Sequence, residues 1–172
     1  GDSNTVDWTN QEDRTSTTLI ALSLEEGSTY YASARLTDIA GNLSEVQSGN
    51  GILIDLTSPV TGTVIDGTIE DFTFTGTSNA LTATWSDFSD EVSGISYYEY
   101  AIGTSIGIND ISGWISVGLD TTITVNGLSL SNGSIYFVSV KAFDQAGNTS
   151  DVVSTNGITV DTQAPDNNFI ID

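Results

Sequence analysis

The sequence predicts an all-β fold made of β-sandwich modules in tandem. Three observations lead to this prediction: an internal repeat, apolar residues that alternate with a period of two, and closely spaced turn signals. No stretch has the 3.6-residue periodicity of an amphipathic helix. About seven short strands in a unit of ~100 residues are typical of a β-sandwich.

The internal repeat aligns residues 8–66 with 114–172 at an offset of 106 residues, without a gap. In this alignment 24 of the 59 paired positions are identical. The identical pairs include Trp8 with Trp114, Tyr30 with Tyr136, Asp38 with Asp144, Asn42 with Asn148, Asp55 with Asp161 and Pro59 with Pro165. A match of this extent does not arise by chance, so the chain is interpreted as part of a tandem array.

The repeat is out of phase with the chain ends and predicts three segments. Residues 1–55 are expected to be the C-terminal part of a truncated module, 56–161 a complete module, and 162–172 the start of a further module. Half a sandwich exposes strand edges and core residues, which natural chains avoid. We therefore expect a fragment of a longer array; the alternative is that another chain donates the missing strands.

Each predicted strand of the complete module lies between turn signals such as Ser93-Gly94 and Asn126-Gly127. The predicted strands are 71–77, 81–86, 95–102, 114–117, 121–125, 135–142 and 152–160. In the sixth strand the residues expected on the core face are Tyr136, Val138, Val140 and Ala142. Ser139 and Lys141 are expected on the opposite, solvated face.

The composition excludes several classes of function. Three Lys and Arg stand against 23 Asp and Glu, so binding to nucleic acid and direct contact with anionic membranes are not expected. The chain has no His and no Cys, which excludes Ser-His-Asp and Cys-His catalysis, disulfides, and zinc sites built on imidazole or thiolate. Lys141 is the only lysine and no Gly-rich run precedes it, so a P-loop is excluded too.

Three runs of residues resemble tandem fibronectin type III and bacterial Ig-like modules. The run 128–150, with Tyr136 and Gly147-Asn148, resembles strands E to G, and 85–95 is similar to strands B and C with their loop. The junctions 54–59 and 160–165 are similar to those in large secreted bacterial surface proteins. The resemblance implies tyrosine corners at Tyr30 and Tyr136. It also implies a role like that of bacterial adhesins, including giant surface adhesins of gliding bacteria.

The Ig-type topology brings the B–C loop, the F–G loop and the incoming linker to one end of the sandwich. The residues gathered there are Asp55, Asp87, Asp90, Glu91, Asp144 and Asn148. Five carboxylates at one end repel each other, and calcium, which takes six to eight oxygen ligands, neutralises such a cluster. The alternative is that Asp55 and Asp144 cap turns while Asp90 and Glu91 are solvated. Asp38 with Asn42 is the equivalent partial site of the first module, and Asp161 belongs to the next.

The aromatic residues allow a second interpretation, a platform for stacking carbohydrate. Strand alternation places Tyr98 and Tyr100 on one face and Tyr97 on the other, so some of these rings are core. Trp8 and Trp114 recur at matching positions, which indicates a repeated packing role. A glycosidase needs two carboxyl groups ~5–10 Å apart across a cleft. Nothing in the sequence indicates a cleft, so no enzymatic activity is expected.

These observations predict a non-catalytic spacer of a long, repetitive bacterial cell-surface adhesin, located outside the cell. Its expected partners are neighbouring modules of the same chain, with surface glycans or other surface proteins as further candidates. The alternative is an accessory spacer or glycan-binding module in a secreted polysaccharide-active enzyme. The absence of Cys suits an exported bacterial protein that depends on core packing and on calcium instead of disulfides.

Overall fold

The computed structural model describes residues 6–12 and 14–166, and every regular element in this part of the chain is a β-strand. The chain divides into two compact units, Gly1–Leu56 and Thr57–Asp172. The all-β prediction is confirmed for the described residues, because they contain no helix.

The first unit consists of two short antiparallel strand pairs. Strands β1 (Thr29–Tyr30) and β4 (Ile52–Leu53) form one pair. Strands β2 (Ser33–Ala34) and β3 (Gln47–Ser48) form the other. All four strands belong to one hairpin, whose two arms turn back on each other between Thr37 and Leu43.

The second unit is a sandwich of two sheets. Its strands are β5 (Thr63–Asp66), β6 (Phe74–Thr75), β7 (Ala80–Ser86), β8 (Ile95–Gly103), β9 (Ser112–Ser116), β10 (Thr122–Asn126), β11 (Ile135–Asp144), β12 (Val153–Ser154) and β13 (Ile158–Val160). One sheet has the order β10-β7-β5, and all its pairs are antiparallel. The other has the order β6-β13-β11-β8-β9, with β12 also pairing with β11, and β6 runs parallel to β13.

The hydrophobic core fills the space between the two sheets. Strand β7 contributes Leu81 and Trp85, and the facing sheet contributes alternate residues of its central strands. Those facing residues are Tyr98, Tyr100, Ile102, Tyr136, Val138, Val140, Ala142, Ile158 and Val160. The Trp85 and Tyr98 rings meet edge to face with their centroids 5.8 Å apart, a favoured geometry for aromatic pairs. The predicted core face of 135–142 is therefore confirmed.

Four details of the predicted strands are wrong. Strand β5 was not predicted, and only Phe74–Thr75 of the predicted 71–77 is a strand. The predicted 152–160 divides into β12 and β13, because Gly157 between them has a φ of +98°. Ser139 is buried instead of solvated: the loop before β9 covers it, and the Gly107 N–H donates to its hydroxyl (3.2 Å).

A tyrosine hydroxyl closes the turn before the longest strand of the second unit. The Ser131 N–H donates to the Tyr136 hydroxyl at 2.9 Å. The Glu25 N–H donates to the Tyr30 hydroxyl at 3.0 Å in the first unit, at the equivalent positions. This bond from a backbone N–H a few residues upstream is the geometry of a tyrosine corner.

Replacing Tyr136 with phenylalanine is expected to lower the free energy of unfolding of the second unit by about 1 kcal/mol. The substitution keeps the buried ring but removes the acceptor of the Ser131 N–H. Urea unfolding followed by tryptophan fluorescence measures the loss. The matched control is Tyr30→Phe, which is expected to leave that transition unchanged; an equal loss from both variants would contradict the prediction.

Candidate functional site

Two loops of the second unit meet at one end of the sandwich. They are the β7–β8 loop, residues 87–94, and the β11–β12 loop, residues 145–152. The Gln145 N–H donates to the Gly94 carbonyl at 3.1 Å, and Asp144 pairs with Ile95 at a bulge in the ladder. The loops predicted to share one end of the sandwich therefore do so.

Asp90 caps the turn of the β7–β8 loop. Its Oδ1 accepts hydrogen bonds from the backbone N–H groups of Val92, Ser93 and Gly94, at 3.2, 2.8 and 2.7 Å. Short polar side chains stabilise turns in this way. The three donors hold the carboxylate in one orientation.

Asp144 and Asn148 form a second capped turn, and the first unit repeats it. The Asp144 Oδ1 accepts the N–H groups of Gly147 (2.6 Å) and Asn148 (2.8 Å), and its Oδ2 accepts the Asn148 side-chain amide (2.8 Å). In the first unit Asp38 accepts the N–H and the side-chain amide of Asn42 at 2.8 and 2.7 Å. The Asn42 side-chain amide, followed by its N–H, holds the pKa of Asp38 below its ordinary value.

The carboxylates of Asp90 and Asp144 approach each other closely. One oxygen of each lies within 4.8 Å of the other, and the Asp144 side chain is buried. Two carboxylates at this distance repel each other unless nearby positive charge compensates them. The five backbone N–H donors supply part of that compensation, and a hard divalent cation would supply more. The arrangement therefore fits both a pair of turn caps and a cation site.

Among the other predicted ligands, Asn148 is hydrogen-bonded to Asp144. Asp87 and Glu91 do not join the closely spaced carboxylates. Asp87 is exposed with a φ of +65°, and its carboxylate accepts the Ser86 hydroxyl at 2.7 Å. Glu91 is exposed at the loop tip. Asp55 is buried at the end of the first unit, and its part in the predicted site stays a prediction.

A stack of aromatic and charged side chains covers the outer face of the second sheet of the second unit. The Tyr97 and Phe143 rings stack with their centroids 4.4 Å apart. The Lys141 Nζ lies 4.5 Å from the Trp114 ring centroid and 3.0 Å from a Glu99 carboxylate oxygen. In the first unit Arg35 lies 4.4 Å over the Trp8 ring, at the equivalent positions. A repeated cation–π contact explains the recurrence of the two tryptophans by packing.

Asp66 is a buried acid that the sequence analysis did not single out. Asp66 is the last residue of β5, and it is 1% exposed. Neither of its carboxyl oxygens has a hydrogen-bond partner of standard geometry among the described residues. Burial raises its pKa to about 6, and the neighbouring Asp71 charge adds to the effect. The Thr155 hydroxyl and the Gly157 N–H offset only part of this rise. The alternation of Val64 and Asp66 on one face was the only signal in the sequence.

The second unit also has an open groove beside strands β6, β7 and β13. It is lined by Phe72, Phe74, Leu81 and Ile158, and by threonines and small residues. None of the lining residues is acidic, so the groove does not offer the carboxylate pair of a glycosidase. In residues 6–12 and 14–166 there is no helix that is long and apolar enough to span a membrane.

Comparisons with known proteins support the fold. No protein-family model and no curated protein sequence matches the chain. Among solved structures, domains A168–A170 of titin match with a TM-score of 0.52 and 17% identity, over 81% of this chain and 44% of that one. The FN1–FN3 domains of chicken CNTN1 match with a TM-score of 0.44 and 14% identity, over 80% of this chain and 45% of that one. The twitchin kinase region of C. elegans matches with a TM-score of 0.44 and 18% identity, over 67% of this chain and 19% of that one.

The chain therefore spans less than half the length of each of these structures. Together with the two-sheet architecture, the titin likeness shows that the chain has the fibronectin type III/Ig-like fold. At 17% identity the likeness concerns the fold alone.

Proposed function

We propose that the chain is a non-catalytic spacer in a long, repetitive bacterial cell-surface adhesin, where it extends an adhesive tip from the cell. The observation that supports this proposal is that contacts which stabilise the fold recur in both units. The Tyr30 and Tyr136 corners, the two Asp–Asn turns and the two cation–π contacts recur at an offset of 106 residues. All of these contacts stabilise the fold. An array that repeats packing, and not reactive groups, suits a mechanical role.

The composition supports the extracellular and bacterial parts of the proposal. Without Cys the modules do not depend on an oxidising compartment, and the charge of −20 keeps them soluble. Mutual repulsion between the acidic groups is reduced in a salt-rich medium, where the Debye length is ~8 Å or less. Neighbouring modules of the same chain are the proposed partners.

The location is tested on intact cells that produce the full-length protein. Antibodies against residues 57–166 are expected to label the outside of the cell in immunogold electron microscopy, at a distance from the membrane that shortens when modules are deleted. Label that stays inside the cell, or that keeps its distance in deletion strains, would exclude a surface spacer.

We also propose that calcium binds at the Asp90–Asp144 pair. The support is their separation of no more than 4.8 Å, together with the low number of cations available to neutralise acids: three Lys and Arg against 23 Asp and Glu. Carboxylate oxygens are the ligands that calcium prefers. Bound there, the ion would hold the two loops of the second unit together and stiffen that end of the module.

Millimolar calcium is then expected to raise the melting temperature of the 172-residue chain by several degrees over that in chelator. A ligand at ~100 times its dissociation constant adds ~2.7 kcal/mol to the stability of the folded state. Asp90→Asn and Asp144→Asn keep an oxygen acceptor for the turns but remove one charge each, so both are expected to abolish the shift. The control is Glu70→Gln, which removes an exposed charge outside the two loops. An equal shift in all three variants, or no shift in the unmodified chain, would refute the calcium site.

The second candidate is an accessory spacer or glycan-binding module of a secreted polysaccharide-active enzyme. The outer face with the half-buried rings of Trp114, Tyr97 and Phe143 is the observation that favours it, because accessible aromatic rings stack on sugars. Against it, Lys141 already lies over the Trp114 ring. Affinity electrophoresis in gels containing polysaccharides separates the candidates. Retardation that Trp114→Ala abolishes would favour the glycan-binding module, and unchanged mobility favours the spacer.

A further inference from the structure

The chain contains four Asn-Gly pairs, and in each of them the glycine has a positive φ between +78° and +98°. They are Asn50-Gly51, Asn126-Gly127, Asn132-Gly133 and Asn156-Gly157. Asparagine loses its side-chain amide most readily before glycine, because glycine has no Cβ to hinder the approach of its backbone nitrogen to the asparagine Cγ. The surrounding contacts decide which of the four pairs can reach this geometry.

Contacts within the second unit hold two of the pairs in place. Asn126 is the last residue of β10 and pairs with Ala80 in the sheet. In Asn132-Gly133 the attacking nitrogen itself is engaged, since the Gly133 N–H donates to the Val160 carbonyl at 2.7 Å. Both pairs would have to break existing hydrogen bonds before the asparagine could react.

The other two pairs, Asn50-Gly51 and Asn156-Gly157, occupy equivalent positions of the repeat. Both asparagines are exposed, and the two glycines have a φ of +90° and +98°. Each glycine lies so close to the facing arm of its hairpin that a Cβ would clash with side chains there. These side chains are also equivalent: Thr29 and Tyr31 at Gly51, and Ile135 and Phe137 at Gly157. Neither exposure nor backbone conformation therefore separates the two pairs.

Two carboxylates distinguish the pair of the second unit. The Asn156 side-chain amide donates to the Asp71 Oδ2 at 2.7 Å, which holds the side chain away from the following nitrogen. The Gly157 N–H faces the buried carboxyl group of Asp66, and a negative charge there opposes loss of the amide proton. At Asn50-Gly51 neither the side chain nor the glycine N–H is hydrogen-bonded to any described residue.

We propose that Asn50 is a site of spontaneous deamidation. The Gly51 nitrogen, after losing its proton to hydroxide, attacks the Asn50 Cγ; the N–Cγ bond forms, the Cγ–Nδ2 bond breaks, and the amide takes up a proton and leaves as ammonia. Water then opens the cyclic imide. Cleavage of the N–Cγ bond gives aspartate, and cleavage of the bond to the main-chain carbonyl carbon gives isoaspartate. The reaction needs only water and base, and the inference does not depend on the proposed surface role.

The modification would act on the strand that follows it. Asn50 lies just before β4, which pairs with β1 through two residues only, Thr29↔Leu53 and Tyr30↔Ile52. Isoaspartate adds one carbon to the main chain at this point, and both products add a negative charge. The pairing of β4 with β1 is therefore expected to weaken once Asn50 has reacted.

The test incubates the folded 172-residue chain at mildly alkaline pH and follows each asparagine by peptide mapping with mass spectrometry. Asn50 is expected to react several-fold faster than Asn156 and to give both aspartate and isoaspartate. Asp71→Ala frees the Asn156 amide, so it is expected to raise the Asn156 rate several-fold and leave the Asn50 rate unchanged. The control is Glu70→Gln, which removes a neighbouring exposed acid and is expected to alter neither rate.

A second measurement removes the dependence on how well the variant folds. In guanidinium chloride the unmodified chain loses all these contacts, so the rates at the four Asn-Gly pairs are expected to converge. Asn50 reacting no faster than the other three asparagines in the folded chain would overturn the proposal. The same ratio of the Asn50 and Asn156 rates in the folded and unfolded chains would overturn it too, because the folded contacts would then not select the site.

Discussion

Ile158→Ala is expected to lower the free energy of unfolding of the second unit by about 2–5 kcal/mol, and Ile52→Ala to change that of the first unit by less than about 0.5 kcal/mol. Both residues occupy the same position of the repeat. Ile158 is buried between the sheets, so its truncation loses apolar burial and leaves a cavity. Ile52 is 71% exposed, so the same truncation removes few contacts.

Urea unfolding of the three 172-residue proteins measures this difference, followed by the fluorescence of Trp8 in the first unit and of Trp85 and Trp114 in the second. Since the substitution and its sequence environment are closely matched, the comparison isolates burial. Similar losses from both variants would mean that the first unit already has a closed core.

Asp66→Asn is expected to stabilise the second unit above pH 6 and to have little effect near pH 4. The folded-state pKa of Asp66, about 6, lies above the ordinary value of 3.8, so the folded state binds the proton more tightly than the unfolded state. Stability of the unmodified protein therefore falls as the pH rises from about 4 to about 6, and the full penalty remains at higher pH. Asparagine carries no charge at any of these pH values. We expect a gain of about 1–2 kcal/mol at pH 8.

Thermal melts at pH 4.5 and pH 8 test this prediction. A gain of 1–2 kcal/mol corresponds to a rise of roughly 5–10 °C for a domain of this size. Glu70→Gln is the control, because it removes one exposed acid in the adjoining loop. It is expected to change the melting temperature little at either pH. Equal stabilisation by Asp66→Asn at both pH values would mean that the Asp66 charge is not the cause.

Most of the fold follows from the sequence because alternation and repetition are local signals. The alternation of 135–142 correctly indicates the core face of β11, and the repeat indicates that the first hairpin has the same register. Strand β5 escaped prediction because Asp66 is a charged residue at a core position. Ser139 was assigned to solvent because the loop that covers it, through Gly107, comes from a distant part of the chain.

The candidate site was predictable only in part. Topology brings Asp90 and Asp144 together, as the loop order of the sandwich implies. Asp87 and Glu91 lie in the same loop, but the left-handed backbone at Asp87 and the exposed position of Glu91 keep both away from the pair. The direction of a side chain within a loop depends on its backbone dihedrals, and a count of nearby acids does not contain that information.

Hydrogen exchange of the unmodified 172-residue chain tests the central claim, that apolar residues buried between the sheets of the second unit have exposed equivalents in the first unit. The account predicts slow exchange in β7, β8 and β11, at residues 80–86, 95–103 and 135–144, and fast exchange throughout 29–54. Strong, concentration-independent protection of 29–54, equal to that of 135–160, would contradict it. The first unit would then have a closed core of its own.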